Sequence, residues 1–126
     1  MTRPRILLVE DNEANIYLAR FLLEKAGYCV VVAENGLECL AVVESQLPDL
    51  IVMDLQMPIM DGYEAARRLK EDPGTASIPM IASSAYAQAG DRERALEAGF
   101  DTYISKPFDT DNFVAQVRAM LPPAEK

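Results

Sequence analysis

Short apolar runs of strand length recur along the chain, and the polar residues that end them are the ones able to do chemistry. Ile6-Leu7-Leu8-Val9 runs into Glu10-Asp11, and Leu50-Ile51-Val52-Met53 runs into Asp54. Such unbroken runs suit strands covered on both faces. Between them the spacing turns helical. Ala14, Leu18, Phe21, Leu22 and Ala26 fall on one helix face, and Gly27 supplies the stop. Tyr28 to Ala33 is β-rich, and Asn35-Gly36-Leu37-Glu38 resembles a capping box opening a helix through Leu37, Leu40 and Ala41 that ends before Pro48. Asp61 or Gly62 opens a third helix through Ala65, Ala66 and Leu69, closed by Asp72-Pro73-Gly74. Met80 to Ala82 makes a fourth strand. A helix of alanines, charges and Leu96 follows, from about Ala89 to Ala98, and stops at Gly99. Thr102 to Ile104 is a short fifth strand. Asp109 or Thr110 caps a last helix that turns Phe113, Val114, Val117, Met120 and Leu121 inward and ends at Pro122-Pro123.

Strands alternating with helices in this way predict an α/β protein, a doubly wound parallel sheet with helices on both faces. The 126 residues suit one domain, with a core from about 5 to 121 and a tail over 122–126. In such sheets ligands bind outside the carboxyl ends of the strands, where the strand order reverses. An order of 2-1-3-4-5 would make strands one and three neighbours, and Glu10, Asp11 and Asp54 would then converge.

Composition narrows the function. A net charge of −8 disfavours nucleic acid, whose binding needs phosphate neutralisation by Lys and Arg, and disfavours an anionic membrane. No run is long enough to span a bilayer, and Thr2-Arg3-Pro4-Arg5 leads into a strand and not into a signal-peptide core, so a cytoplasmic protein is expected. Cys29 and Cys39 read as reduced, half-buried thiols. With no histidine, the chain has no His-based acid–base chemistry, no His metal ligand and no phosphohistidine of its own.

Three converging carboxylates repel one another unless a cation neutralises them, and an all-oxygen donor set suits Mg2+. Asp54 stands where a carboxylate can attack phosphorus and form an acyl phosphate. Glu10 and Asp11, with the backbone carbonyl of Gln56, would hold Mg2+, which screens incoming phosphoryl oxygens from the attacking carboxylate. Ser84, past strand four, can donate a hydroxyl to a phosphoryl oxygen, and Lys106, past strand five, can set an ammonium opposite the metal. Other classes fit less well. An aspartate-nucleophile phosphatase wants an acid two residues after the nucleophile, where this chain has Gln56. A flavodoxin-like flavin carrier wants a phosphate-cradling loop after strand one, where this chain has Glu10-Asp11-Asn12-Glu13. No Gly-x-x-x-x-Gly-Lys loop occurs, so ATP is not the direct donor.

Val9-Glu10-Asp11-Asn12, the stretch from Met53 to Gly62, Ser84-Ala85 and Lys106-Pro107-Phe108 closely resemble the receiver domain of two-component response regulators, from Arg5 to Leu121. The resemblance implies the flavodoxin-like order 2-1-3-4-5, Asp54 as phosphoacceptor, Glu10 and Asp11 as metal acids, and Ser84 and Lys106 on the phosphoryl group. It also implies Tyr103 as an aromatic switch and a cis Lys106–Pro107 bond. The expected partners are a histidine kinase or histidine phosphotransfer protein and a downstream protein target. The chain would not be an enzyme in its own right, catalysing only its own phosphorylation and dephosphorylation. It reads first as a stand-alone receiver and second as a receiver excised from a hybrid kinase, which the Gln-Met-Pro and Met-Asp-Gly wording also resembles.

Further expectations come from position. Gln56 and Tyr86 follow Asp54 and Ser84 by two residues each and should border the path of water to an acyl phosphate. Ile16 and Tyr17 fall off the inward face of the first helix and, extended by Pro107 and Phe108, offer apolar surface for a phosphodonor. The helix near Ala89 to Ala98 should be weakly anchored and easily shifted.

Overall fold

The computed structural model describes residues 3–85, 90–106 and 108–121. Five strands alternate with five helices: β1 (Arg5–Val9), α1 (Glu13–Lys25), β2 (Cys29–Ala33), α2 (Gly36–Ser45), β3 (Leu50–Asp54), α3 (Gly62–Glu71), β4 (Met80–Ser84), α4 (Asp91–Ala98), β5 (Thr102–Ser105) and α5 (Thr110–Met120). The strands form one parallel sheet in the order β2-β1-β3-β4-β5, the order expected. Chain direction reverses its winding between β1 and β3, so their carboxyl ends flank the crevice.

Strand alternation sorts the core into two halves. Ile6, Leu8, Leu50, Val52, Ile81 and Ile104 point to one face and meet Ala19 and Leu23 of α1 and Phe113 and Val117 of α5. Leu7, Val9, Ile51, Met53, Met80 and Ala82 point to the other and meet α2, α3 and α4 through Cys39, Val43, Ala65, Ala66, Leu69, Ala95 and Ala98. Four helices start on capping side chains: Asn12, Asn35, Asp61 and Asp109 each accept a hydrogen bond from a backbone N–H two or three residues on. The expected capping box at Asn35 is shifted by one residue: Glu38 reaches back past the cap and accepts from the N–H of Glu34 at 3.1 Å.

The structure corrects several expected details. Strands β3, β4 and β5 run on to Asp54, Ser84 and Ser105, because the ladder continues through the pairs Asp54–Ser83 and Ser84–Ser105. Helix α1 is rotated from its expected phase. Ala19 and Leu23 are buried, whereas Ala14 and Phe21 are exposed, Phe21 at 52%. Apolar residues occupy both sides of this helix, and small Ala19 lets its own side approach the sheet most closely. On α2, Cys39 and Val43 are buried while Leu37 and Ala41 face solvent; burial pushes the Cys39 thiol up to about 12. Cys29 is exposed, so only one cysteine lies in the core. On α4, Leu96 is 44% exposed and only Asp91, Ala95 and Ala98 are buried.

Candidate functional site

The site is built on strand ends. Glu10, Asp54 and Lys106 each follow by two positions a residue of the α1/α5 face, namely Leu8, Val52 and Ile104. Their backbones are pinned by bonds that continue the ladder: Glu10 N–H to Ala33 O, Leu55 N–H to Ser83 O and Lys106 N–H to Ser84 O, each 2.9 Å. Period-two alternation and these anchors deliver three charged side chains to one spot.

Glu10, Asp11 and Asp54 each place a carboxylate oxygen within 4.8 Å of the others. Lys106 reaches across and donates to Glu10 Oε1 at 2.5 Å and lies 3.1 Å from Asp54 Oδ2. Asp54 is only 5% exposed. Burial pushes its carboxyl above the ordinary carboxylate value; the Lys106 ammonium opposes the rise, Glu10 adds to it, and the Gln56 N–H, 3.1 Å from Oδ1, opposes it. One ammonium against three carboxylates leaves the cluster negative. That is the electrostatic setting a hard divalent cation relieves, and the donor set is all oxygen. Glu10 is already engaged twice, by Lys106 and by the Asn12 N–H on Oε2 at 3.2 Å, whereas Asp11 is exposed. A carboxylate has about four lone-pair sites, so Glu10 keeps capacity for a metal.

Ser84 Oγ donates to Gln56 Oε1 at 3.1 Å, so the serine hydroxyl and the glutamine are tied together at the rim. Tyr103 is half-buried on the α2/α3/α4 side, and its hydroxyl is already closed off from solvent. Of the expected docking residues, Tyr17 is 64% exposed, but Ile16 is half-buried and packs on the core. Phe108 is buried, its ring stacked on Phe113 at 4.4 Å, so it fills the core and does not extend a surface patch. Tyr86 and Pro107, with the expected cis bond, lie outside the described residues.

Two residues with no expected site role support this rim. A Cβ on Gly62 would sit 2.5 Å from Asp54 O, so only glycine lets α3 begin against the strand that carries the phosphoacceptor candidate. A glycine directly after the N-cap Asp61, where a good helix former is preferred, was the signal for it. Ile59 has φ of 70°, and the N–H of Met60 bonds Pro58 O at 2.7 Å, which makes a γ-turn rare and strained for a β-branched residue. The Gly36 N–H bonds Met60 O at 3.0 Å, tying this loop to the start of α2.

Comparison with known proteins agrees with this geometry. Residues 6–118 match the family model described as the response regulator receiver domain. The chain is 41% identical over 116 residues to the polar-differentiation response regulator DivK of Brucella anthropi, covering 92% of this chain and 94% of that protein. A putative response regulator of Chloroflexus aurantiacus J-10-fl has a TM-score of 0.91 at 28% identity, covering 94% of this chain and 98% of that one. The receiver domain of the sensor histidine kinase PA1611 of Pseudomonas aeruginosa PAO1 has a TM-score of 0.87 at 34% identity, with coverage of 94% and 98%, and its structure has a magnesium ion coordinated in the active-site cleft. Sheet order, the acid cluster beside a lysine and the matched span all agree: the chain belongs to the response regulator receiver domain family.

Proposed function

We propose that Asp54 accepts a phosphoryl group from a phosphohistidine on a histidine kinase or histidine phosphotransfer protein, and that the modified chain signals through protein contacts. The observation that carries this reading is the buried Asp54 carboxylate braced by Lys106 inside a cluster of three acids. A carboxylate oxygen of Asp54 forms the new bond to phosphorus while the bond from phosphorus to the donor's imidazole nitrogen breaks, the imidazole leaving with its electron pair. Lys106, held by Glu10, balances charge on the phosphoryl oxygens, and Ser84 exchanges its hydrogen bond to Gln56 for one to a phosphoryl oxygen. Glu10, Asp11, Asp54 and the backbone carbonyl of Gln56 are the groups that would hold Mg2+, which when bound supplies charge screening between nucleophile and phosphoryl group. Catalysis extends only to the chain's own phosphorylation and dephosphorylation, with Gln56 and Tyr86 setting the lifetime. Ser84 and Tyr103 carry the change outward; a structure with a phosphoryl mimic in which both keep their present places would remove them from the signal.

Acetyl phosphate, a small phosphodonor, tests the chemistry. One phosphoryl group should appear by mass spectrometry on wild type with Mg2+, and none without Mg2+ or on Asp54→Asn. Equal uptake by wild type and Asp54→Asn would remove the assignment.

The phosphodonor docks along α1, where Ala14, Tyr17, Leu18 and Phe21 line a shallow groove of about 470 Å³ that the domain's own core leaves uncovered. Phe21 replaces the half-buried Ile16 in this role. Tyr17→Asp and Phe21→Asp should lose phosphotransfer from a cognate histidine kinase while keeping that from acetyl phosphate. No helix among the described residues is long and apolar enough to cross a membrane, and a cytoplasmic place suits such a donor. The likeness to DivK over nearly its whole length supports a stand-alone receiver. The likeness to the PA1611 receiver favours a second reading, a receiver belonging to a hybrid kinase, which the gene sequence around this chain decides.

A further inference from the structure

Between α3 and α4 lies a group of polar side chains that the phosphoryl chemistry leaves unused. The Arg94 guanidinium, on α4, sits over the ring of Tyr63, the second residue of α3, with Cζ 4.6 Å from the ring centroid. The hydroxyls of Tyr63 and of Tyr103 on β5 are both closed off from solvent, and neither has a hydrogen-bond partner among the described residues. Burial raises the Tyr63 phenol above its ordinary value; Arg94 opposes the rise, and Asp91, Tyr103 and Asp61 lie close enough to add to it. Arg94 is also a shared wall of two clefts. One, of about 570 Å³, includes Asp11 and Gln56 at the phosphorylation rim, and the other, of about 280 Å³, runs between α3 and α4 past Arg67 and Glu97.

Helix α4 has few other anchors. It is eight residues long, and its N-cap is Gly90, which makes no side-chain capping bond. A helix so short is not held by its own hydrogen bonds and depends on packing. Among the described residues, its buried side chains are those of Ala95, Ala98 and partnered Asp91.

We propose that the Arg94–Tyr63 stack is a latch that fixes α4 against α3 in the resting chain, over a pair of phenol hydroxyls whose hydrogen bonds are forfeited until α4 moves. A buried hydroxyl without a partner costs free energy, so any displacement that admits water or a new partner recovers it. The stack opposes that displacement. The two together make α4 a two-position element biased toward rest, and this bias is a property of the unphosphorylated chain, independent of whether Asp54 is the trigger.

Amide hydrogen exchange, followed residue by residue in the unphosphorylated full chain, tests both halves. Arg94→Gln removes the cation and should raise exchange across α4 by roughly two- to five-fold, the worth of an exposed cation–ring contact, with β1 and β3 unchanged. Tyr63→Leu removes the stack and one stranded hydroxyl together, so its rise should be smaller than that of Arg94→Gln. Adding Arg94→Gln to it should raise exchange no further, because the ring partner is already gone. Tyr63→Phe keeps the ring under the guanidinium and deletes one stranded hydroxyl, so α4 should exchange more slowly than in wild type. Unchanged α4 exchange in Arg94→Gln, or an equal rise in β1 and β3, overturns the latch. Exchange in Tyr63→Phe as fast as in wild type, or faster, overturns the role of the stranded hydroxyls.

Discussion

The two faces of the sheet are built from different materials. Beneath α1 and α5 the core is large and aliphatic or aromatic: Ile6, Leu8, Leu23, Leu50, Val52, Ile81, and Phe108 stacked on Phe113. Beneath α2, α3 and α4 the strands supply residues as large, Leu7, Ile51, Met53 and Met80, but α3 and α4 meet them largely through Ala65, Ala66, Ala95 and Ala98. There two buried phenol hydroxyls have no hydrogen-bond partner among the described residues, and clefts open to the rim. Large interlocked side chains fix one arrangement, whereas small ones make shallow contacts that slide at low cost. Glu10, Asp54 and Lys106 extend the rows of the first face, and Ser84 and Tyr103 those of the second. The charged cluster thus stands on the face with the bulkier helix packing, which we expect to be rigid. The residues proposed to report on it stand on the face with the alanine-rich helix packing, which we expect to yield.

The largest expected effect comes from breaking the rigid face. Phe113→Ala should cost about 3–5 kcal/mol in denaturant unfolding, since it deletes a buried ring and the stacking partner of Phe108. A loss under about 1 kcal/mol would mean that the two faces do not differ as described. Next, Gly62→Ala drives a Cβ into the carbonyl of Asp54 and should cost about 1–3 kcal/mol, together with a clear fall in the rate of phosphorylation by acetyl phosphate. Normal phosphorylation in a destabilised Gly62→Ala chain would separate the strand end from the site.

A smaller effect concerns Asp54 itself, with a definite dependence on pH. Its carboxyl titrates higher in the folded chain than in the unfolded one, so the folded chain holds the proton more tightly. Ionising it therefore costs stability as pH rises from the ordinary 3.8 through the raised folded value, and that cost persists above. Asp54→Asn should raise Tm by a few degrees at neutral pH, the gain fading as pH falls toward 3.8. Lys106 keeps Glu10 as partner in that variant, so no buried cation is stranded. A neutral-pH Tm that falls on substitution would show that the pair with Lys106 outweighs burial.

The sequence made the fold legible because each strand run is unbroken and each helix has a cap or a stop. It made the acids legible because they end those runs. It could not give the phase of α1, where Ala14, Leu18 and Phe21 compete with Ile16, Ala19 and Leu23 for the inward side. Nor could it give the Ser84–Gln56 bond, the Lys106–Glu10 pair or the Arg94–Tyr63 stack, which join residues far apart in the chain through side-chain geometry alone. Phe108 was misplaced for a related reason: next to a rim lysine it reads as surface, and only the position of α5 shows the ring to be core.

The division between a rigid and a yielding face is tested most directly by residue-resolved hydrogen exchange with and without Mg2+ and beryllium trifluoride, a phosphoryl mimic. The expected result is altered protection in α4, at the end of β4 and in β5, with β1, β3 and the inward residues of α1 and α5 unchanged. Equal changes on both faces, or changes confined to α1 and α5, would contradict the account.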